Sequence, residues 1–166
     1  MSAGSSPRPR SDEELRIVRT FDAPASLLFR IWSEAEHLIH WLGPTGFICT
    51  HAEADFRVGG AFRGCIVSQD PASRWRLGRW MTGRYREIAR DARIVFTFAW
   101  EDGGDQPGVD TLVTLTFEEK DGRTVQTFHQ ARFLHVEERD SHVDGWTRCF
   151  DREQAHLERL QRSERA

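Results

Sequence analysis

The sequence predicts an α+β fold in which an antiparallel sheet of about six to seven strands packs against one long C-terminal helix. Three observations carry that expectation. Between Phe47 and Phe133 the apolar residues fall in short β-type runs separated by turn chemistry. From about Ser141 to Arg162, Val143, Trp146, Phe150, Leu157 and Leu160 recur at steps of three, four, seven and three, which places them on one helical stripe. The 166 residues suit a single domain, and a chain of that size buries about two-thirds of its unfolded surface. The stripe therefore has only the sheet to cover it.

Taken in order, residues 1–12 are rich in Ser, Pro and Arg with nothing to bury, and read as a disordered arm before a domain spanning 13–166. Glu14 to Phe21 is a strand that ends at Asp22-Ala23-Pro24. Pro24 suits the first turn of a helix, and Leu27, Leu28, Ile31 and Trp32 follow at helical spacing. Ser33 with Glu36 forms a capping-box pattern that restarts the chain as a second short helix, with Leu38, Ile39 and Trp41 as its apolar face. Gly43-Pro44 ends it. Six strands are then expected at Phe47–Phe56, Gly60–Ser68, Arg79–Ile88, Arg93–Trp100, Thr111–Glu119 and Arg123–Phe133. Asp121-Gly122 is the strongest hairpin turn, and only the Ser68–Gly78 connection is long. On the last helix Arg148, Asp151, Arg152, Glu158 and Arg159 oppose the stripe as a solvated face.

Composition narrows the function classes. The net charge of −3 comes with scattered Arg residues and a single lysine, Lys120, so no basic field for nucleic acid is expected. No apolar run reaches the roughly 18 residues of a membrane span, and the polar start lacks the core of a signal peptide, so a cytoplasmic protein without membrane insertion is expected. Cys49, Cys65 and Cys149 are odd in number and have no metal-ligand spacing, which suits reduced, partly buried thiols. Six Trp and eleven Phe accompany a single Tyr. That bias means either a ring-rich core or a pocket walled by ring faces.

Seven strings, FDAP at 21–24, HWLGP at 40–44, RVGGAFR at 57–63, GRYREI at 83–88, IVFTFAWEDG at 94–103, TLVTLTFEEKDG at 111–122 and DGWTRCF at 144–150, follow one another in a familiar order. The sequence resembles the branch of the START-like (Bet v 1-like, SRPBCC) superfamily named for the C-terminal domain of the activator of heat-shock-protein ATPase. It departs from that pattern at Trp41-Leu42, where a Trp pair is frequent, at Ala89–Ala92, where a Pro-rich turn is frequent, and in its longer Ser68–Gly78 connection. The resemblance implies a helix-grip fold: a curved sheet, two short helices and the long C-terminal helix enclosing a hydrophobic cavity.

In that architecture Ile94, Phe96, Phe98 and Trp100 share one face of their strand, and Tyr85 should lie near Phe96 across the hairpin. Trp41, Phe62, Tyr85, Phe96, Trp100, Phe128, Trp146 and Phe150 form the candidate pocket set; the alternative for each ring is simple core filling. A two-residue Asp121-Gly122 turn sends Gln126, Phe128 and Gln130 inward, whereas a three-residue turn would send Val125, Thr127 and His129 there. The Tyr85 hydroxyl is available to orient a ligand or to bond a nearby backbone group. His51, Glu53 and Asp55 alternate on what reads as the solvent face of their strand, with Ile48, Ala52, Ala54 and Phe56 on the inner one. His37 and His40 read as a surface pair, since their spacing binds zinc only with further ligands.

No GxSxG, HExxH, GxGxxG or P-loop pattern is present, so no catalytic residue, cofactor or metal is assigned. The expected role is binding of a small hydrophobic or aromatic ligand. The alternatives are a cyclase- or hydrolase-type enzyme acting on such a ligand and, less well supported by the chain, a co-factor of the chaperone ATPase. Trp75, if exposed in the long connection, and the sheet edges suggest a homodimer contact.

Overall fold

A computed structural model describes residues 12–104 and 106–165; apart from Asp12, the expected N-terminal arm lies outside them. The elements run β1 (Glu14–Phe21), α1 (Ala25–Ser33), α2 (Ala35–Trp41), β2 (Phe47–Ala54), β3 (Ala61–Ser68), β4 (Arg79–Ala89), β5 (Arg93–Trp100), β6 (Thr111–Lys120), β7 (Arg123–Ala131) and α3 (Val136–Arg165). All seven strands join one antiparallel sheet in the order β1-β7-β6-β5-β4-β3-β2. The sheet curls around α3 in the α+β helix-grip arrangement.

Turn chemistry sets the sheet register. Asp121 and Gly122 both adopt positive φ (55° and 78°), the primed two-residue geometry that matches strand twist. Leu115 accordingly pairs with Phe128 and Phe117 with Gln126, so Gln126, Phe128 and Gln130 point inward and are at most 1% exposed. The three-residue alternative is excluded. In β2 the pairing slips between Cys49 and His51. This bulge reverses the alternation: Cys49 is buried before it and Ala52, Ala54 and Phe56 pack on the core after it. Ile48, expected inside, is therefore 45% exposed.

Pro24 caps α1, its carbonyl accepting from Leu27 and Leu28 N–H, and the Glu119 carboxylate on β6 accepts from Ala25 N–H at 2.7 Å. Leu27, Leu28, Ile31 and Trp32 are all buried. The expected capping box does not form. The residue that turns extended between the helices is Glu34 (φ −103°, ψ 124°), so Ser33 is still helical and its hydroxyl donates to Arg30 O. Ile39 is 38% exposed, leaving Leu38 and Trp41 as the buried face of α2.

The long helix starts at Val136, earlier than the apolar stripe predicts. Trp146, Phe150 and Leu157 are buried and Leu160 packs on the core. Val143 is 36% exposed because the adjacent His142 takes the inward position in that turn. Arg152 does not belong to the solvated face either. Its Nη1 donates to the carbonyls of Leu42 (2.9 Å) and Gly43 (3.0 Å), tying α3 to the end of α2. Cys49, Cys65 and Cys149 are free and buried. No helix among the described residues is long and apolar enough to cross a membrane.

Candidate functional site

The inner side chains of β4 and β5, among them Met81, Phe98 and Trp100, face the first half of α3. Between them lies a pocket of about 230 Å³, with His142, Gly145 and Trp146 on its helical wall and Trp75 and Arg79 from the β3–β4 region. A hollow of about 30 Å³ adjoins it, walled by Phe62, Tyr85 and Phe96 and sharing Met81, Phe98 and Trp146. A separate depression of about 340 Å³ is mostly polar, bounded by Asp22, Arg123 and Glu158 among others.

The eight nominated rings divide. Trp100 and Trp146 line the pocket, and Phe62, Tyr85, Phe96 and Trp146 line the hollow. Tyr85 pairs directly with Phe96, their ring centroids 6.3 Å apart. Trp41, Phe128 and Phe150 line neither; at no more than 1% exposed they fill the core. Trp41 Nε1 donates to Ile31 O and its ring meets Trp32 edge-on at 4.7 Å. Alternation alone could not separate these groups, because the curl of the sheet and the placement of α3 decide which inward ring meets open space. Phe98 shares its strand face with Phe96, as expected, whereas Met81 was not anticipated, although alternation along β4 puts it on the face of Tyr85 four residues on. Ile66, Arg79, His142 and Gly145 carried no sequence signal for a pocket.

Two buried polar clusters hold the helix to the sheet. Gln130 Oε1 accepts from Trp146 Nε1 (2.8 Å) and lies 3.2 Å from His142 Nδ1, while its Nε2 donates to Thr111 Oγ1 (2.8 Å). Trp100 Nε1 donates to His142 Nε2 (3.2 Å), which also lies 3.2 Å from Glu138 Oε1. The Trp100 and Trp146 indoles thus have fixed orientations, and both nitrogens of His142 are engaged. Deeper in, Trp32 Nε1 donates to Glu153 Oε2 (2.8 Å) and Gln126 Oε1 (3.0 Å), and Gln126 Nε2 donates to Glu153 Oε1 (3.0 Å). Glu153 is fully buried, and loss of hydration pushes its pKa up to about 8 despite these donors.

At the pocket wall the Arg79 guanidinium lies 4.2 Å from the Trp75 ring and 3.8 Å from that of Trp100, its Nε donating to Asp102 (3.1 Å). Arg74 covers Trp75 at 4.4 Å. Trp75 is therefore half-buried rather than exposed, and the exposed apolar side chain of this connection is Leu77, at 87%. The Tyr85 hydroxyl makes no hydrogen bond among the described residues, and burial, with Asp55 adding to it, raises its pKa well above the ordinary value.

His51, Glu53 and Asp55 are exposed, as expected. His37 is not a surface residue. It is 8% exposed, and its Nδ1 meets His156 Nε2 at 3.0 Å, while His40 stacks on His156. Burial and neighbouring positive groups lower the pKa of His156 to about 4. Glu34, Glu36 and His37 each bring a ligand atom within 4.8 Å of the others. The carboxylates are half-buried or exposed and His37 already engages His156, so no metal is assigned.

Residues 22–158 match the family model described as Activator of Hsp90 ATPase homolog 1-like protein. The chain belongs to this family. Its solved relatives lie within the START/Bet v 1-like (SRPBCC) superfamily. One is a protein from Chromobacterium violaceum at 26% identity, covering 86% of this chain and 95% of that one with a TM-score of 0.76. Another, from Silicibacter pomeroyi and described as an AHSA1 protein, has 23% identity, 87% and 96% coverage and a TM-score of 0.73. A Plasmodium falciparum protein described as an HSP90 activator matches at 20% identity, 73% and 74% coverage and a TM-score of 0.54, which shows shared fold alone. None of the curated proteins matches the chain.

Proposed function

We propose that this family member binds a small, largely apolar molecule in the pocket between α3 and the sheet. The observation that carries the reading is the pocket itself: about 230 Å³ between Trp100, Phe98 and Trp146, with the ring-walled hollow adjoining it. Concave sites with ring-rich walls and few polar groups are the usual form of small-molecule sites. The volume exceeds the roughly 150 Å³ cavity that holds one benzene ring and falls below the roughly 300–1,000 Å³ of drug-sized sites. A one- or two-ring molecule suits it better than a long lipid.

Binding is favoured over catalysis because the buried polar groups beside the pocket already satisfy one another: His142, Gln130, Thr111 and the Trp100 and Trp146 N–H groups are engaged. Three free thiols suit a reducing cytoplasm. A thermal-shift panel of one- and two-ring aromatics, fatty acids and polycyclic compounds tests the reading. The expected result is a rise in melting temperature with the smaller rings only. A well-folded preparation that no compound stabilises would overturn it.

The family description favours a second reading, stimulation of a chaperone ATPase. ATP turnover by an Hsp90-type chaperone, measured with and without the protein at low salt, decides it. An unchanged rate removes that role.

A further inference from the structure

We propose that the occupant of this pocket is a planar aromatic carboxylate, its ring lying on the α3 backbone at Gly145 and its carboxylate held by Arg79. This rests on the binding role above and adds the ligand's shape and charge.

Gly145 lies well inside a 30-residue helix, where glycine is less favourable than alanine. Close packing does not explain it, since a Cβ built at this position meets nothing within 4 Å. Yet Gly145 forms part of the pocket wall, one residue before Trp146. The missing side chain leaves bare helix backbone facing open space, where a flat ring can approach closely. A bulkier residue would occupy the space instead.

Two arginines border the pocket, and their hydrogen bonds differ. Arg148 is committed: Nη1 donates to Thr45 O (3.0 Å) and Nη2 to Asp144 (2.9 Å). Arg79 uses only Nε, towards Asp102. Neither of its Nη atoms has an acceptor among the described residues, although the side chain is only 16% exposed. Trp75 and Trp100 clamp the guanidinium plane, holding the remaining donors in a planar fork that fits a carboxylate. Asp102, which is not part of the pocket wall, holds Arg79 through Nε alone, and Asp144 pairs with Arg148.

The probes are 2-naphthoate and its neutral counterpart 2-naphthamide, titrated by calorimetry against wild type, Arg79→Gln, Arg79→Lys and Gly145→Leu, each checked by thermal melting. The wild type should bind the acid at least about tenfold more tightly than the amide, as expected for hydrogen bonds to a charged group. Arg79→Gln should abolish that preference and Arg79→Lys retain part of it. Gly145→Leu should lose both probes by more than about tenfold while its melting temperature is unchanged or a few degrees higher, from helix propensity. Equal affinity for acid and amide overturns this inference and leaves the binding role standing. So does a preference that survives in folded Arg79→Gln, or undiminished binding by Gly145→Leu. If neither probe binds the wild type, the inference fails, and the binding role fails with it when the wider ligand panel is also silent.

Discussion

Burial of the Glu153 carboxyl gives the molecule a pH dependence that can be worked out residue by residue. Its folded pKa of about 8 stands above an ordinary 4.5, so between these values the folded state holds a proton that the unfolded chain has released. The Glu153 contribution to stability is fully present below pH 4.5 and is lost as pH rises through 8, with a slope of up to roughly 1.4 kcal/mol per pH unit. Glu153→Gln should flatten that limb and melt higher than wild type at pH 8–9, as thermal melts across pH would show. His156 acts on the other side. Its pKa is lowered from 6.5 to about 4, so stability is lost as pH falls through that window, and His156→Gln should reduce the loss. A carboxyl and an imidazole set among apolar stripe residues gave no warning in the sequence. Only the packing of α3 against Trp32, Gln126 and His37 makes them buried partners.

Among the elements, β4 shows how one small residue positions a ring. A Cβ on Gly83 would lie 1.8 Å from Thr97 O and 2.3 Å from the Phe62 ring, so Phe62 crosses directly over the strand to reach Phe96 at 5.3 Å. Gly83→Ala should cost several kcal/mol through overpacking against backbone, read as a lower urea midpoint. Gly122→Ala, at a positive-φ turn with nothing within 4 Å, should cost only about 1–2 kcal/mol and leave ligand binding unchanged. The Asp121-Gly122 turn and the Trp146–Leu157 stripe were legible because local chemistry determines them. The Cys49–His51 bulge and the extended Glu34 break were not, since both are set by how neighbouring elements meet.

For the whole molecule, the order of elements and the grip of the sheet on α3 could be read from periodicity, turns and the matched strings. The pocket could be read only in part. Trp100 and Trp146 lie on it and Phe62, Tyr85 and Phe96 beside it, whereas Trp41, Phe128 and Phe150 belong to the core. The six indole N–H groups offer the most direct measurement of the central claim, in a two-dimensional ¹H–¹⁵N spectrum titrated with an aromatic ligand found by thermal shift. The indole signals of Trp75, Trp100 and Trp146, which line the pocket, should move together, while Trp41 in the core and Trp80 under Arg63 stay still. Saturable movement of Trp80 alone, or saturable binding that leaves Trp100 and Trp146 unmoved, would contradict a site between α3 and the sheet.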